Sequence, residues 1–350
     1  MRSYDVVAFG EPLQPREKDA PQPRGTEVLL RVAAAGVCHS DLHMWEGHYD
    51  LGEGKRLHVV DRGVSPPFTM GHEVAGEVVA LGYDAKGVAV GDMRLVFPWI
   101  GCGVCPACQR GTENLCRKPN CIGIHRPGGY ATHVLVPHPR YLIEIAPLTP
   151  EEAAPFACSG LTAYGAIMKL GPLVHEAPVA IIGAGGVGLM AISLIKALGG
   201  AGAISVDISP QKRAAALGAG AIAAIDGAAP HAGAQLAAAA PDGLMAVIDF
   251  VGSTGTADLA LGALARGGTY IAVGLYGGTL KMPLPYIPMR ALTIQGSYTG
   301  SLAQLEELML LARRGDVPPP PVASSPLNEV NAVLHNLHEG RVIGRAVVVP

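Results

Sequence analysis

From Pro178 onward, short apolar runs closed by glycine alternate with longer segments in which apolar residues recur at helical spacing. Pro178–Gly183 reads as a buried strand, Gly186–Leu198 as a helix and Ala203–Ile208 as a second strand. Further strands are predicted at Ala246–Val251, Thr269–Gly274 and Leu292–Gly296, with helices at Pro210–Leu217 and Gly255–Arg266 between them. Such alternation predicts an α/β, doubly wound parallel sheet. Upstream, Val28–Ala35, Val74–Ala80, Arg94–Phe97 and Tyr130–Val136 read as strands with Gly/Pro punctuation and few helical periods. They predict a separate, mostly β domain, with a boundary near Cys158 to Leu170. The Ala-rich stretch Gly218 to Ala240 offers no clear period and no identifiable chemistry.

With 350 residues, 49% of them hydrophobic and 16% charged, the chain can bury a large core and divide into two domains. A formal charge of −3 gives no electrostatic case for a nucleic-acid partner. No apolar run reaches the roughly 18 residues that would suggest a membrane span.

The first βα turn carries Gly183-Ala184-Gly185-Gly186-Val187-Gly188, a Gly-x-Gly-x-x-Gly with a strand before it and a helix after it. Its first glycine permits the tight turn, its second lets backbone N–H groups approach a pyrophosphate, and its third lets helix pack on strand. Asp207 lies 207 − 188 = 19 positions beyond the last glycine, at the end of the second strand. A carboxylate there can accept hydrogen bonds from both adenosine ribose hydroxyls. The expected cofactor is NAD(H), because a 2′-phosphate would meet that charge unless Lys212 or Arg213 offset it.

Cys102, Cys105, Cys108 and Cys116 follow the spacing Cys-x-x-Cys-x-x-Cys-x(7)-Cys. Four thiolates so close in sequence suit a closed tetrahedral zinc site; the alternative is two disulfides. Disulfides favour an exported protein, and Met1 to Gly10 shows no signal-peptide pattern, so a reducing, cytoplasmic setting and zinc are expected. A second set is scattered: Cys38 in Cys38-His39-Ser40-Asp41, His72 and Glu73, and Cys158. Two thiolates and an imidazole match an open, catalytic zinc site. Taken singly, each could be an inert core residue.

These motifs together give the chain a resemblance to the zinc-dependent alcohol dehydrogenases of the medium-chain dehydrogenase/reductase family. The likeness rests on Gly71-His72-Glu73-Val74-Ala75-Gly76 with Gly82, on Cys38-His39-Ser40-Asp41, on the four-cysteine lobe, on the Gly183–Gly188 turn with Asp207, and on Gly344-Arg345. It implies a GroES-like catalytic domain from residues 1–158 and 291–350, with a structural zinc lobe at about 98–120. A Rossmann NAD-binding domain, 159–290, would be inserted between the two parts. It implies two zinc ions per chain, a homodimer or homotetramer, and reversible hydride transfer between a small alcohol and nicotinamide, with zinc as Lewis acid. Cys38, His72 and Cys158 would be the catalytic zinc ligands, Glu73 a neighbouring carboxylate and Asp41 the acceptor that orients His72. Ser40 and His43 would relay the proton. His39 and Arg345 would hold the pyrophosphate. A zinc-independent quinone or enoyl reductase of the same superfamily would not need these ligands.

Trp45 and Trp99 are candidates for a substrate wall, with ordinary packing as the alternative. Cys121 reads as a buried structural thiol, and His48, His58, His125, His133 and His138 as surface or loop residues. The pair Arg313-Arg314 suits a helix C-terminus. Gly47 to Thr69, between Cys38 and His72, is expected to be a long substrate-side loop or a tolerated insertion.

Overall fold

The run Val28-Leu29-Leu30-Arg31-Val32-Ala33-Ala34-Ala35-Gly36-Val37 is almost continuously apolar, and it forms a buried central strand, Val28–Val37. A strand buried on both faces loses the in–out alternation of an edge strand. The computed structural model describes residues 1–350. In it, Val28–Val37 pairs antiparallel with Glu73–Leu81, His133–Val136 and Arg345–Val349 in a seven-stranded sheet. Met93–Val96 and Leu142–Glu144 extend that sheet on one side and Val322–Pro326 on the other. A three-stranded sheet of Gln14–Glu17, Arg2–Val6 and Phe68–Thr69 accompanies it.

This first unit comprises Met1–His48, His58–Leu161 and Gly300–Pro350. Its core holds fully buried Tyr130, Phe97, Phe156, Leu30, Met70 and Leu95, each large side chain contributing about 1.5–3 kcal/mol by leaving water. Two further helices belong to it, one ending at the expected Arg313. Leu302–Arg313 buries Leu305, Leu308, Met309 and Ala312, and Val330–His338 buries Val330, Val333, Leu334 and Leu337. Ser301 starts the former with a capping box, its Oγ accepting from Gln304 N–H while Gln304 Oε1 accepts from Ser301 N–H. Arg313 ends it, with its guanidinium on Glu144 at 2.8 Å.

The second unit comprises Tyr49–Leu57 and Thr162–Thr299. Its six strands are all parallel, in the spatial order Ala223–Asp226, Ala203–Asp207, Val179–Ile182, Leu244–Asp249, Leu264–Ala272, Thr293–Gly296. The chain leaves Val179–Ile182 first to one side and later to the other, so a topological switch lies between that strand and Leu244–Asp249. Ligands of doubly wound sheets bind outside the carboxyl ends of the strands at such a point. The doubly wound architecture is therefore as expected.

Three expectations need adjustment. The segment 291–299 belongs with the second unit, because Thr293–Gly296 is the sixth strand of the parallel sheet, bonded to Leu264–Ala272. The Ala-rich stretch is structured as the strand Ala223–Asp226 and the helix Ala232–Ala238, with Ile225 and Leu236 in the core. Gly47 to Thr69 is not one loop: it holds the paired strands His48–Asp50 and Arg56–His58, a 3₁₀ turn at Val59–Arg62, and the strand Phe68–Thr69. Its 49–57 portion packs with the second unit, where Gly52 abuts Gly278 and Glu53 pairs with Lys281 at 3.0 Å. No helix is long and apolar enough to cross a membrane.

Candidate active site

Cys38 ends the central strand and is the N-cap of the helix His39–Glu46. The register places Gly36 opposite Glu73, so the start of Glu73–Leu81 sits beside Cys38 and brings His72 with it. Glycine is required at 36, since a Cβ there would lie 2.0 Å from Glu73 Oε2. Cys158, between the 3₁₀ turn Ala154–Ala157 and the helix Ser159–Met168, completes the group. The ligand atoms of Cys38, His72, Glu73 and Cys158 all lie within 4.8 Å of one another, and all four residues are buried.

The Cys38 and Cys158 sulfurs are 3.9 Å apart. That exceeds a disulfide bond by nearly 2 Å and is close to the edge of a tetrahedron with zinc–sulfur bonds of about 2.3 Å, roughly 3.8 Å. His72 Nδ1 faces Asp41 Oδ1 at 3.2 Å, an ion-pair contact without hydrogen-bond geometry, and Nε2 is buried with no partner. An orphaned imidazole nitrogen beside two thiols and a carboxyl fits a cation of zinc's character. The electrostatics of the four groups are tightly linked. Sharing a hydrogen bond with Cys158 holds the Cys38 thiol well below its ordinary range, and the same bond pushes Cys158 up. Burial pushes Glu73 up to about 7 despite the Arg345 guanidinium, whose NH2 group donates to its Oε2 at 2.5 Å. Burial draws the His72 imidazole down, but Asp41 and Cys38 outweigh it and the net shift is upward.

Asp41 is fully buried. Its Oδ2 accepts from Cys38 N–H at 2.9 Å and from the Tyr130 hydroxyl at 2.8 Å. Burial and the Asp41 carboxylate hold the Tyr130 phenol well above its ordinary pKa, so it stays a donor. Trp99 is buried with its ring 5.3 Å from that of His72, and its Nε1–H donates to the Ala157 carbonyl just before Cys158. The Trp45 indole N–H donates to the Glu11 carbonyl at 2.7 Å and its ring edge meets His338, contacts that the packing alternative accounts for. Ser40 and His43 stand three residues apart on the helix, neighbours on its surface, both partly buried. Burial lowers the His43 pKa. His39, the first helical residue, is exposed.

In the four-cysteine lobe, Cys105 Sγ lies 3.5 Å from Cys108 Sγ and 3.7 Å from Cys116 Sγ, again tetrahedral-edge distances. Backbone N–H groups of Cys102 and Lys118 point at Cys116 Sγ. Every cysteine of the chain is unpaired as a disulfide, and Cys121 is buried, its thiol pushed up to about 12. Buried Glu113 ties the lobe to the sheet: it accepts from Gly101 N–H, Arg140 and the Tyr141 hydroxyl.

In the second unit, a Cβ on Gly188 would lie 1.8 Å from the Gly183 carbonyl, whereas Gly185 faces open space. The third glycine thus lets the helix Gly186–Ala197 pack on its strand, and the second leaves the turn approachable. Asp207 closes the strand Ala203–Asp207, its two oxygens accepting one each from Ala184 N–H and Ser209 N–H at 2.8 Å. A carboxylate has further lone pairs beyond these. Arg213 donates to the carbonyls of Asp207 and Ile208 and pairs with Asp226 at 3.2 Å, which leaves it poorly placed to offset a 2′-phosphate; Lys212 is partly buried.

Residues the sequence did not single out are Tyr130, Glu113 and Asp249. Asp249 orders the turn at the switch point, accepting from Val251 and Gly252 N–H and from the Tyr270 hydroxyl.

A mostly β unit carrying a buried sulfur–imidazole–carboxylate cluster, joined to a doubly wound unit with a dinucleotide-type turn, defines a metal-dependent dehydrogenase class. Residues 24–147 match the family described as alcohol dehydrogenase GroES-like domain, and residues 186–314 the family described as zinc-binding dehydrogenase. The chain is 38% identical to a Sulfurisphaera tokodaii protein named NAD-dependent alcohol dehydrogenase, over 100% of both chains. A Saccharolobus solfataricus protein of the same name is also 38% identical over 100% of both. The crystal structure of the alcohol dehydrogenase from Aeropyrum pernix superposes with a TM-score of 0.90 at 32% identity, covering 100% of each chain. The chain belongs to the zinc-binding alcohol dehydrogenase family of the medium-chain dehydrogenases/reductases, and is an enzyme of the oxidoreductase class.

Proposed function

We propose that this enzyme catalyses the reversible, NAD(H)-dependent oxidation of a small alcohol to its aldehyde or ketone, using zinc held by Cys38, His72 and Cys158. The observation that carries the reading is the burial of those three N/S ligand atoms with Glu73 inside 4.8 Å. When bound, zinc supplies Lewis-acid charge at the alcohol oxygen and NAD⁺ accepts the hydride. The chain's own groups do the rest. Asp41 holds the His72 ring, and Glu73, kept by Arg345, offers a carboxylate beside the metal. Trp99 supplies an apolar wall near His72. The substrate's proton would pass to Ser40 Oγ and on to His43, whose pKa burial lowers. The second unit binds NAD(H) through Gly183, Gly185, Gly186, Val187, Gly188 and Asp207. His39 and the unpartnered Arg345 Nε are the further donors proposed for the pyrophosphate.

The GroES-like catalytic part in this proposal is the first unit, with the lobe at about 98–120 as a second, structural zinc site. The second unit is the NAD-binding part. A homodimer or homotetramer is the proposed assembly. It is supported by exposed Tyr276, Leu284, Tyr286 and Met289, near in sequence to the edge strand Thr293–Gly296, whose outer backbone groups are unpaired. A cytoplasmic location is the proposed setting, supported by seven cysteines none of which is in a disulfide.

The test is a turnover screen of aliphatic, aromatic and cyclic alcohols with NAD⁺, and of the matching carbonyls with NADH. Metal-dependent NADH formation with some members is expected. A zinc-loaded protein that oxidises none of them and reduces no carbonyl would sink the reading.

A further inference from the structure

Tyr130 is wholly buried, and the fold reserves its place at the expense of the residue before a metal ligand. A Cβ on Gly71 would stand 2.7 Å from Tyr130 Cδ1 and 2.8 Å from its backbone nitrogen. The main chains are laced together there: Gly129 N–H donates to the Gly71 carbonyl at 2.7 Å and Tyr130 N–H to that of Met70 at 3.0 Å. The ring is therefore fixed against the segment that delivers His72. Its hydroxyl reaches Asp41 Oδ2, the oxygen that also accepts from Cys38 N–H. With two donors on Oδ2, the carboxylate cannot rotate without losing both, and Oδ1 is kept facing His72 Nδ1. Oδ1 then favours the proton on Nδ1, which leaves the Nε2 lone pair for the metal.

We propose that Tyr130 is a positioning residue that acts through Asp41 to lock the ring and tautomer of His72. The inference rests on the metal site proposed above and concerns how tightly that site keeps its ion. Phenylalanine at 130 would preserve the ring in its glycine-lined place but leave Asp41 with one donor on Oδ2. The carboxylate could then turn, and His72 would lose its fixed acceptor. Outer-shell partners of this kind typically alter metal affinity by about 10–100-fold.

The experiment measures zinc transfer from the purified holoenzyme to a chromophoric chelator, with the four-cysteine lobe as internal reference. Tyr130→Phe should release zinc from the buried site about tenfold faster or more, with release from the lobe unchanged. In an Asp41→Asn background the same substitution should change release by less than about twofold, because its route has been cut. Unchanged release in Tyr130→Phe overturns the proposal. So does an equal acceleration in both backgrounds, which is what a purely packing role gives. If Tyr130→Phe does not accumulate as folded protein, 3-fluorotyrosine at position 130 keeps the ring and makes the hydroxyl a stronger donor. Release should then slow, and no change overturns the proposal. Because the readout needs no turnover, a zinc-loaded protein inert toward alcohols would sink the function reading alone. Unmodified protein that holds no zinc at the buried site would overturn both.

Discussion

The two sulfur clusters of this enzyme are built in opposite ways. The lobe draws its four thiols from one short stretch, Cys102 to Cys116, much of it at the surface, with a 3₁₀ turn, a single-turn helix and backbone N–H groups for scaffolding. The other cluster draws Cys38, His72, Glu73 and Cys158 from four segments and seals all of them. The contrast is physical. A local knot stabilises its own loop and can be closed with four like ligands. A cluster assembled by strand register gathers unlike groups, among them a carboxyl pushed up to about 7 by burial, and keeps them dry, where electrostatic effects on a substrate are largest. On the proposed reading, the closed, shallow cluster serves stability and the mixed, buried one serves chemistry.

The sharpest way to break this contrast is to exchange the expected losses. Cys38→Ser should lower turnover by about a hundredfold or more while fold and NADH binding persist, because a ligand matters at least as much as the outer partners that hold it. Cys105→Ser should instead lower the melting temperature by roughly 5–10 °C and leave activity per folded molecule near normal. Calorimetry and steady-state kinetics on both variants decide it, and equal behaviour would erase the distinction.

Next in size is the effect of the proposed proton relay through Ser40 and His43. Ser40→Ala should reduce alcohol oxidation by about a hundredfold. His43→Ala should be milder, with part of the rate restored by added buffer base. Unchanged pH–rate profiles in both variants would remove the relay.

A smaller effect concerns the second unit. Asp207 should disfavour NADP(H) by at least about tenfold in kcat/KM, since charge-assisted hydrogen bonds contribute roughly 1.5–3 kcal/mol. Asp207→Ser should narrow that gap. Full recovery with NADP(H) is not expected, as Arg213 is already committed to Asp226 and two carbonyls. Equal efficiency of the unmodified enzyme with both cofactors would contradict this role.

The smallest effect reports on the lobe without its metal. Backbone N–H groups and neighbouring sulfurs bring Cys105 down to about 6, while burial pushes Cys108 up to about 12. In chelator-treated protein, iodoacetamide should label Cys105 with a rate that climbs through pH 6 and then levels, and Cys108 should lag throughout. Peptide mapping across pH 5–8 measures the order; Cys108 labelling first would refute it.

The same contrast decides what was legible in the chain. The lobe could be read from spacing, because its ligands are neighbours in sequence. The Gly183–Gly188 turn could be read from its flanking strand and helix. The buried cluster could be gathered from its ligand types, but its roles came from family resemblance, since no local pattern ties Cys38 to Cys158, which are 120 positions apart. Tyr130 lies 89 positions from Asp41, and it left no signal at all, because an isolated tyrosine acquires meaning only from register. Trp45 shows the converse limit: nearness in sequence to Cys38 suggested a substrate wall with packing as the alternative, and only the structure shows its indole N–H on the Glu11 carbonyl. Alanine misled in another way. Around Ala223 and Ala232 its weak hydrophobic contrast hid an edge strand and a helix. The segment 291–299 fell on the wrong side because a boundary drawn from a domain template at 290 separated the whole strand Thr293–Gly296 from its parallel sheet.

The contrast between the two clusters is tested most directly by metal analysis of freshly purified, chelator-free protein, run beside NAD⁺-dependent alcohol oxidation for the unmodified chain, Cys38→Ser and Cys105→Ser. Two zinc ions per chain are expected in the unmodified enzyme, one for each of the two clusters, and one in each variant, with turnover lost only in Cys38→Ser. One zinc or none in the unmodified protein, or turnover that survives without the buried site's metal, would contradict it.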